Sequence, residues 1–135
     1  MHRRTPWLLI VFLLAFAASA WAQEDLRFFR RLHADGLHEV AVGQMEEFLV
    51  RHPAHADRAE IHWLLGRCHE ALDRPDAMMR WLGEFEELLP ADPRACEALY
   101  DAARAGARAG LLAEAEALAD RLLREHVDCR FHDAG

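Results

Sequence analysis

Ala71-Leu72-Asp73-Arg74-Pro75-Asp76-Ala77-Met78 has a counterpart 37 residues earlier, Ala34-Asp35-Gly36-Leu37-His38-Glu39-Val40-Ala41, and another 37 residues later, Arg108-Ala109-Gly110-Leu111-Leu112-Ala113-Glu114-Ala115. Gly36, Asp73 and Gly110 share one turn position, and Ala41, Met78 and Ala115 share an apolar position beyond it. The same step joins Phe48, Phe85 and Leu122, and also Phe28, Leu65 and Ala102, with no gap anywhere. A fixed period between about 20 and 50 residues marks stacked units, each too small to bury its own apolar face. Such a chain works through a surface rather than through a catalytic pocket.

Working outward from these turns, the sequence predicts six helices in three hairpins: 24–34 with 38–51, 58–72 with 76–89, and 94–108 with 112–125. Beyond residue 22 the only β-branched residues are Val40, Val42, Val50, Ile61 and Val127, while Ala, Leu, Glu and Arg dominate, so local propensity favours helix. Gly36 and Gly110 fall where helices end, and Pro53 and Pro90 follow second helices. Asp92-Pro93 pairs a capping residue with proline at the first helical position, and Asp57 is placed to cap in the same way. In the second helices the apolar residues recur at helical spacing: Ala41, Met45, Phe48 and Leu49; Met78, Leu82 and Phe85; Ala115, Ala119, Leu122 and Leu123. These stripes are the expected core.

The first 22 residues read differently. Arg3 and Arg4 precede an apolar run from Trp7 to Ala18, and Ala20-Trp21-Ala22 forms an A-x-A cleavage site before Gln23. That order describes a secretory signal peptide, with an uncleaved inner-membrane anchor as the alternative reading of the uncharged stretch 5–22. The organisation expected is therefore a signal peptide over 1–22, a repeat domain over 23–127 with units at about 23–53, 58–90 and 94–127, and a tail over 128–135 that suggests truncation. No Cys stands near the cleavage point to carry a lipid.

Of the 16 basic residues all are Arg, and the part beyond the leader carries 14 of them against 23 Asp and Glu, a net charge of −9. So acidic a chain is a poor partner for nucleic acid or an anionic membrane. There is no Lys, and no Ser or Thr after Ser19, which removes the commonest nucleophiles and Schiff-base chemistry. The composition points away from an enzyme. The acidic pairs Glu46-Glu47 and Glu86-Glu87 read as solvated helix faces.

His62-Trp63-Leu64-Leu65-Gly66 with His69, Met78, Leu82 and Pro90 resembles the tetratricopeptide repeat, whose pattern is W-x2-L-G-x2-Y, A-x3-F and a closing P. Gly36, Ala41, Met45 and Pro53 continue the resemblance in the first unit, and Gly110 and Ala115 in the third. Trp63 stands one place late, His69 and Ala119 replace aromatics, Val127 replaces the proline, and the step is 37 rather than the family's 34. The resemblance implies a right-handed α-solenoid of three helix-turn-helix repeats. Phe48-Leu49, His52-Pro53, Ala59 and Trp63-Leu64-Leu65-Gly66 are further similar to exported envelope repeat proteins of the Tol-Pal and outer-membrane assembly type. That likeness implies a periplasmic scaffold for a protein or peptide.

In such proteins the fifth and ninth positions of each first helix line the concave face. Here they are Leu26, Trp63 and Tyr100 at one level and Arg30, Arg67 and Arg104 at the other. Trp63 with Arg67 and Tyr100 with Arg104 are four apart, so each pair shares a helix face and can form a cation–π contact while accepting a partner's carboxylate. The competing reading is a solvated arginine at a copied position, paired with Glu60, Glu70 or Glu97.

Of three cysteines, Cys96 opens the first helix of the third hairpin and Cys129 follows its second, which brings both to one end and nominates them as a disulfide; two reduced thiols are the alternative. Cys68 reads as a small apolar residue, and Cys68-His69 is poorly placed for proton transfer because adjacent helical residues point about 100° apart. His62 and His69 lie about 10 Å apart along one helix, too far to share an ion. His126, Cys129 and His132 with Asp128 and Asp133 lack a second Cys, so no metal and no cofactor is assigned. The resulting expectation is an exported scaffold that binds a protein or peptide through its concave face, with self-association through the third unit. The alternative is the N-terminal repeat segment of a longer envelope enzyme or sensor.

Overall fold

The computed structural model describes residues 24–129. The expected signal peptide and His132 and Asp133 of the tail lie outside these residues. Among the described residues the protein is all-helical, with no strand: α1 (24–34), α2 (His38–Arg51), α3 (Arg58–Ala71), α4 (Pro75–Leu88), α5 (Ala95–Arg108) and α6 (Leu112–Glu125). No helix among them is long and apolar enough to cross a membrane.

The turns repeat in the backbone as they do in the sequence. Gly36, Asp73 and Gly110 all adopt positive φ, at 76°, 54° and 77°. The amides of Leu37, Arg74 and Leu111 then donate to the carbonyls of Leu32, His69 and Gly106, five residues back, the closing bond of a Schellman turn. Further along, the amides of His52, Leu89 and His126 bond back to Phe48, Phe85 and Leu122, again at steps of 37. A side chain on the left-handed backbone is costly, so Gly110→Ala is expected to lose about 1 kcal/mol. Asp73→Gly should change stability by less than about 0.5 kcal/mol, because relief of strain is offset by greater freedom of the unfolded chain. Urea denaturation of the two variants checks the contrast, and equal losses would contradict it.

Helix ends differ from the sequence reading in small, explicable ways. Pro75 is inside α4 rather than before it, since a missing N–H is harmless in the first turn. Neither expected cap forms as read: α5 begins at Ala95, so Pro93 lies in the preceding turn, where the Asp92 carboxylate accepts the Arg94 amide at 2.8 Å, and Asp57 stands at the start of α3 without a side-chain cap, its own amide donating to His55 Nδ1 at 3.0 Å instead.

Each helix packs on its neighbours in the chain. One apolar cluster joins α1, α2 and α3 through Phe29, Met45, Ile61 and Leu65. A second joins α4 and α5 to the start of α3 through Phe85, Leu82, Ala102 and Ala59. Close approach of α3 to α4 requires Gly66, where a Cβ would sit 2.4 Å from Leu82 Cδ2. The expected stripe holds except at its end: Leu123 is 73% exposed, because α6 has α5 on one side and no later described helix on the other. The solvated face expected for Glu86-Glu87 is half wrong: Glu87 is exposed, but Glu86 is nearly fully buried, because it ties α4 to α6 through an ion pair with Arg121 at 2.7 Å and lies 2.9 Å from His126 Nε2.

Candidate functional site

The face built by α1, α3 and α5 carries the residues singled out for partner binding. Helical spacing of four places Arg67 Cζ 4.3 Å from the Trp63 ring centre and Arg104 Cζ 5.5 Å from that of Tyr100. Trp63 is held from the other side as well: its ring lies 5.2 Å from that of Phe85, and Arg94 Cζ sits 5.2 Å from it. The indole is thus fixed by the apolar cluster below and two guanidinium groups around it.

The three arginines differ in availability. Arg30 is half-exposed and donates to Glu60 at 3.4 Å, and Arg67 makes the equivalent bond, also spanning thirty residues, to Glu97 at 3.4 Å. Arg67 donates in addition to Glu70 at 2.9 Å and to Asp101 at 2.8 Å, and only 16% of its side chain is exposed. Burial works against its charge, and the hydrogen bonds to Asp101 and Glu70 outweigh it, so its pKa is raised. Arg104 is exposed and has no ion pair among the described residues. Leu26 is nearly buried in the first apolar cluster and presents little surface, whereas Tyr100 is 38% exposed.

Sequence reasoning left Arg94 and Asp92 out of this face. Arg94 forms a two-pronged pair with Glu60, one prong at 3.2 Å, and also holds Asp92 at 3.0 Å. The hydrogen bond from Arg94 is the main cause that holds the Glu60 carboxyl below its ordinary pKa. The pairs that the competing reading of the arginines names do form, Arg30 with Glu60 and Arg67 with Glu70 and Glu97, but no charge preserved across the period points to Arg94, whose counterparts are Asp57 and Phe131. The surface therefore alternates cation and carboxylate, with aromatic rings set between them. It offers hydrogen bonds and flat apolar area.

Cys96 and Cys129 are joined, with Cα atoms 6.2 Å apart, which ties the start of α5 to the segment after α6. Two hollows lie elsewhere among the described residues: one of about 570 Å³ between α2, α3 and α4, bounded by Leu49, His62 and Trp81, and one of about 530 Å³ between α4 and α6, bounded by Met79, Leu118 and Arg121. They occupy equivalent places 37 residues apart, since Trp81 and Leu118 correspond. No protein-family model, curated protein or solved structure matches this chain.

Proposed function

We propose that this chain is an exported scaffold of three tetratricopeptide-like hairpins that holds a protein or peptide on the α1–α3–α5 face. The observation that carries the reading is the pair of arginine–aromatic stacks on that face, Trp63 with Arg67 and Tyr100 with Arg104, repeated at a step of 37. Turns of the same backbone geometry, and apolar clusters shared between one hairpin and the first helix of the next, support a stacked array. The signal-like residues 1–22 support export, and with it a periplasmic location.

The arginines divide the labour. Arg67, saturated by three carboxylates, stiffens the face. Arg30 and Arg104 have capacity left for a partner's carboxylate, each at a rim where solvent already reaches the guanidinium. Replacing both, as Arg30→Glu with Arg104→Glu, is expected to abolish capture of the partner from the cell envelope of the source organism while the melting temperature stays within about 2 °C of the parent, as for exposed substitutions. Capture at parental levels by the folded double variant would refute the reading. Arg67→Glu is the wrong probe, because it would set a new carboxylate against Glu70, Glu97 and Asp101 and destabilise the fold.

A further inference from the structure

We propose that His33, His38 and Cys68 form a metal site for a zinc-class divalent ion, clamping the α1–α2 turn onto α3. Three side chains from three helices converge there: one ligating atom from each lies within 4.8 Å of the other two. The Cys68 Sγ and His33 Nδ1 atoms are 3.4 Å apart. Two donors bound to one zinc ion at about 2.3 Å for sulfur and about 2.0 Å for nitrogen, at tetrahedral angles, stand about 3.5 Å from each other. That edge of a coordination polyhedron is therefore already formed, and only the remaining edges need to contract. The His33 and His38 rings are 5.1 Å apart and inclined at 57°, so they share the site without stacking.

Two further observations favour a ligand over simple packing. His38 Nδ1 is buried with no hydrogen-bond partner, an arrangement that costs free energy unless something fills it. The cluster also departs from the repeat: the counterparts of His33, His38 and Cys68 at the next junction are Glu70, Pro75 and Ala105, which form no ligand set. Stacking of one hairpin on the next requires no histidine or thiol here. A sulfur and two imidazoles suit zinc, and three protein ligands leave a fourth position for water, reachable because His33 and His38 are half-buried. On binding, the Cys68 thiol loses its proton to solvent and the thiolate becomes the ligand. The other group of close donors, Glu86, Glu125 and His126, is unsuited, since Arg121 already supplies the cation for Glu86.

Cys68 is the one cysteine outside the disulfide, so a thiolate signal in the oxidised protein reports this site alone. The test is titration of the full chain with Co2+, disulfide intact and without oxygen. The expected result is one Co2+ per chain, with a thiolate-to-metal charge-transfer band and tetrahedral visible absorption, both abolished when Zn2+ displaces the cobalt. Cys68→Ser should abolish the charge-transfer band. His38→Gln and His33→Gln, at half-buried positions that fold more readily than a core variant, should each weaken Zn2+ binding by about 100-fold or more, judged against the 10- to 100-fold cost of losing a mere supporting residue. His126→Gln should leave the charge-transfer band and the zinc affinity unchanged. No charge-transfer band in the parent, or a band that survives Cys68→Ser, overturns the proposal; so does parental zinc affinity in both histidine variants.

Discussion

Phe85→Ala is expected to destabilise the protein by about 3–5 kcal/mol, the range for deleting a buried aromatic from a core that cannot close around the gap. Phe85 is fully buried in the second apolar cluster, its ring lies 5.2 Å from that of Trp63, and Arg94 Cζ is 5.1 Å from its centre. The loss therefore combines transfer of the ring to water with removal of the floor on which Trp63 rests. Position in the array sets the magnitude. Phe48 and Leu122 occupy the same place in the neighbouring units, yet Phe48 is only partly buried at the edge of the first cluster, whereas α4 is covered by α3 on one side and α5 on the other. Phe48→Ala should accordingly cost markedly less, about 2 kcal/mol. Guanidinium denaturation of the two variants measures both, and a Phe48→Ala loss equal to or larger than that of Phe85→Ala would show that burial across the period does not govern stability. If the α1–α3–α5 face binds a partner as proposed, loss of the Trp63 floor should also weaken capture more than the stability change explains.

Helix positions are legible because the turn carries its own chemistry. A glycine, or an aspartate that tolerates the left-handed region, has to stand at 36, 73 and 110, and the expected boundaries then fall within a residue or so of those observed. Apolar residues such as Met45, Leu82 and Phe85 are legible for a related reason, since helical spacing selects one face. What is not legible depends on how one hairpin meets the next. Helical spacing identifies Arg67 as sharing a face with Trp63, but not that Asp101, 34 residues on, draws it under cover. Nor does spacing place His33 beside Cys68, because that contact arises only when α1 and α3 lie side by side. The repeat register assigns Leu26 to the groove, yet it sits in the apolar cluster with Phe29 and Leu32. Short-range patterning specifies the units, and the packing between units decides which side chains a partner or an ion can reach.

That packing also predicts an acid-sensitive fold. His62 lies in the α3 wall of the larger hollow, buried, with Nδ1 unbonded and its ring 5.0 Å from that of Trp81. Burial first and the Arg58 charge second push its pKa from 6.5 down to about 4. The Glu84 carboxylate, 3.5 Å from Nε2, faces it from α4 but is itself well exposed and does not reverse the shift. The sign follows from proton counting. Between the unfolded pKa near 6.5 and the folded value about 4, the unfolded chain binds a proton that the folded chain refuses, so stability is full above that window and falls as pH drops through it. Every tenfold difference in proton affinity between the two states is worth about 1.4 kcal/mol, which gives a loss on the order of 3 kcal/mol for this one buried group. Over the upper part of the window, from about pH 6.5 to pH 5, carboxylate titration contributes little, and the loss there should be about 2 kcal/mol. His62→Leu removes the group that refuses the proton while keeping apolar volume against Trp81. Urea denaturation at successive pH values should show the parent losing stability over this interval and the variant losing about 2 kcal/mol less. Parallel curves for the two proteins would mean that His62 accepts its proton in the folded state, with Glu84 as its partner.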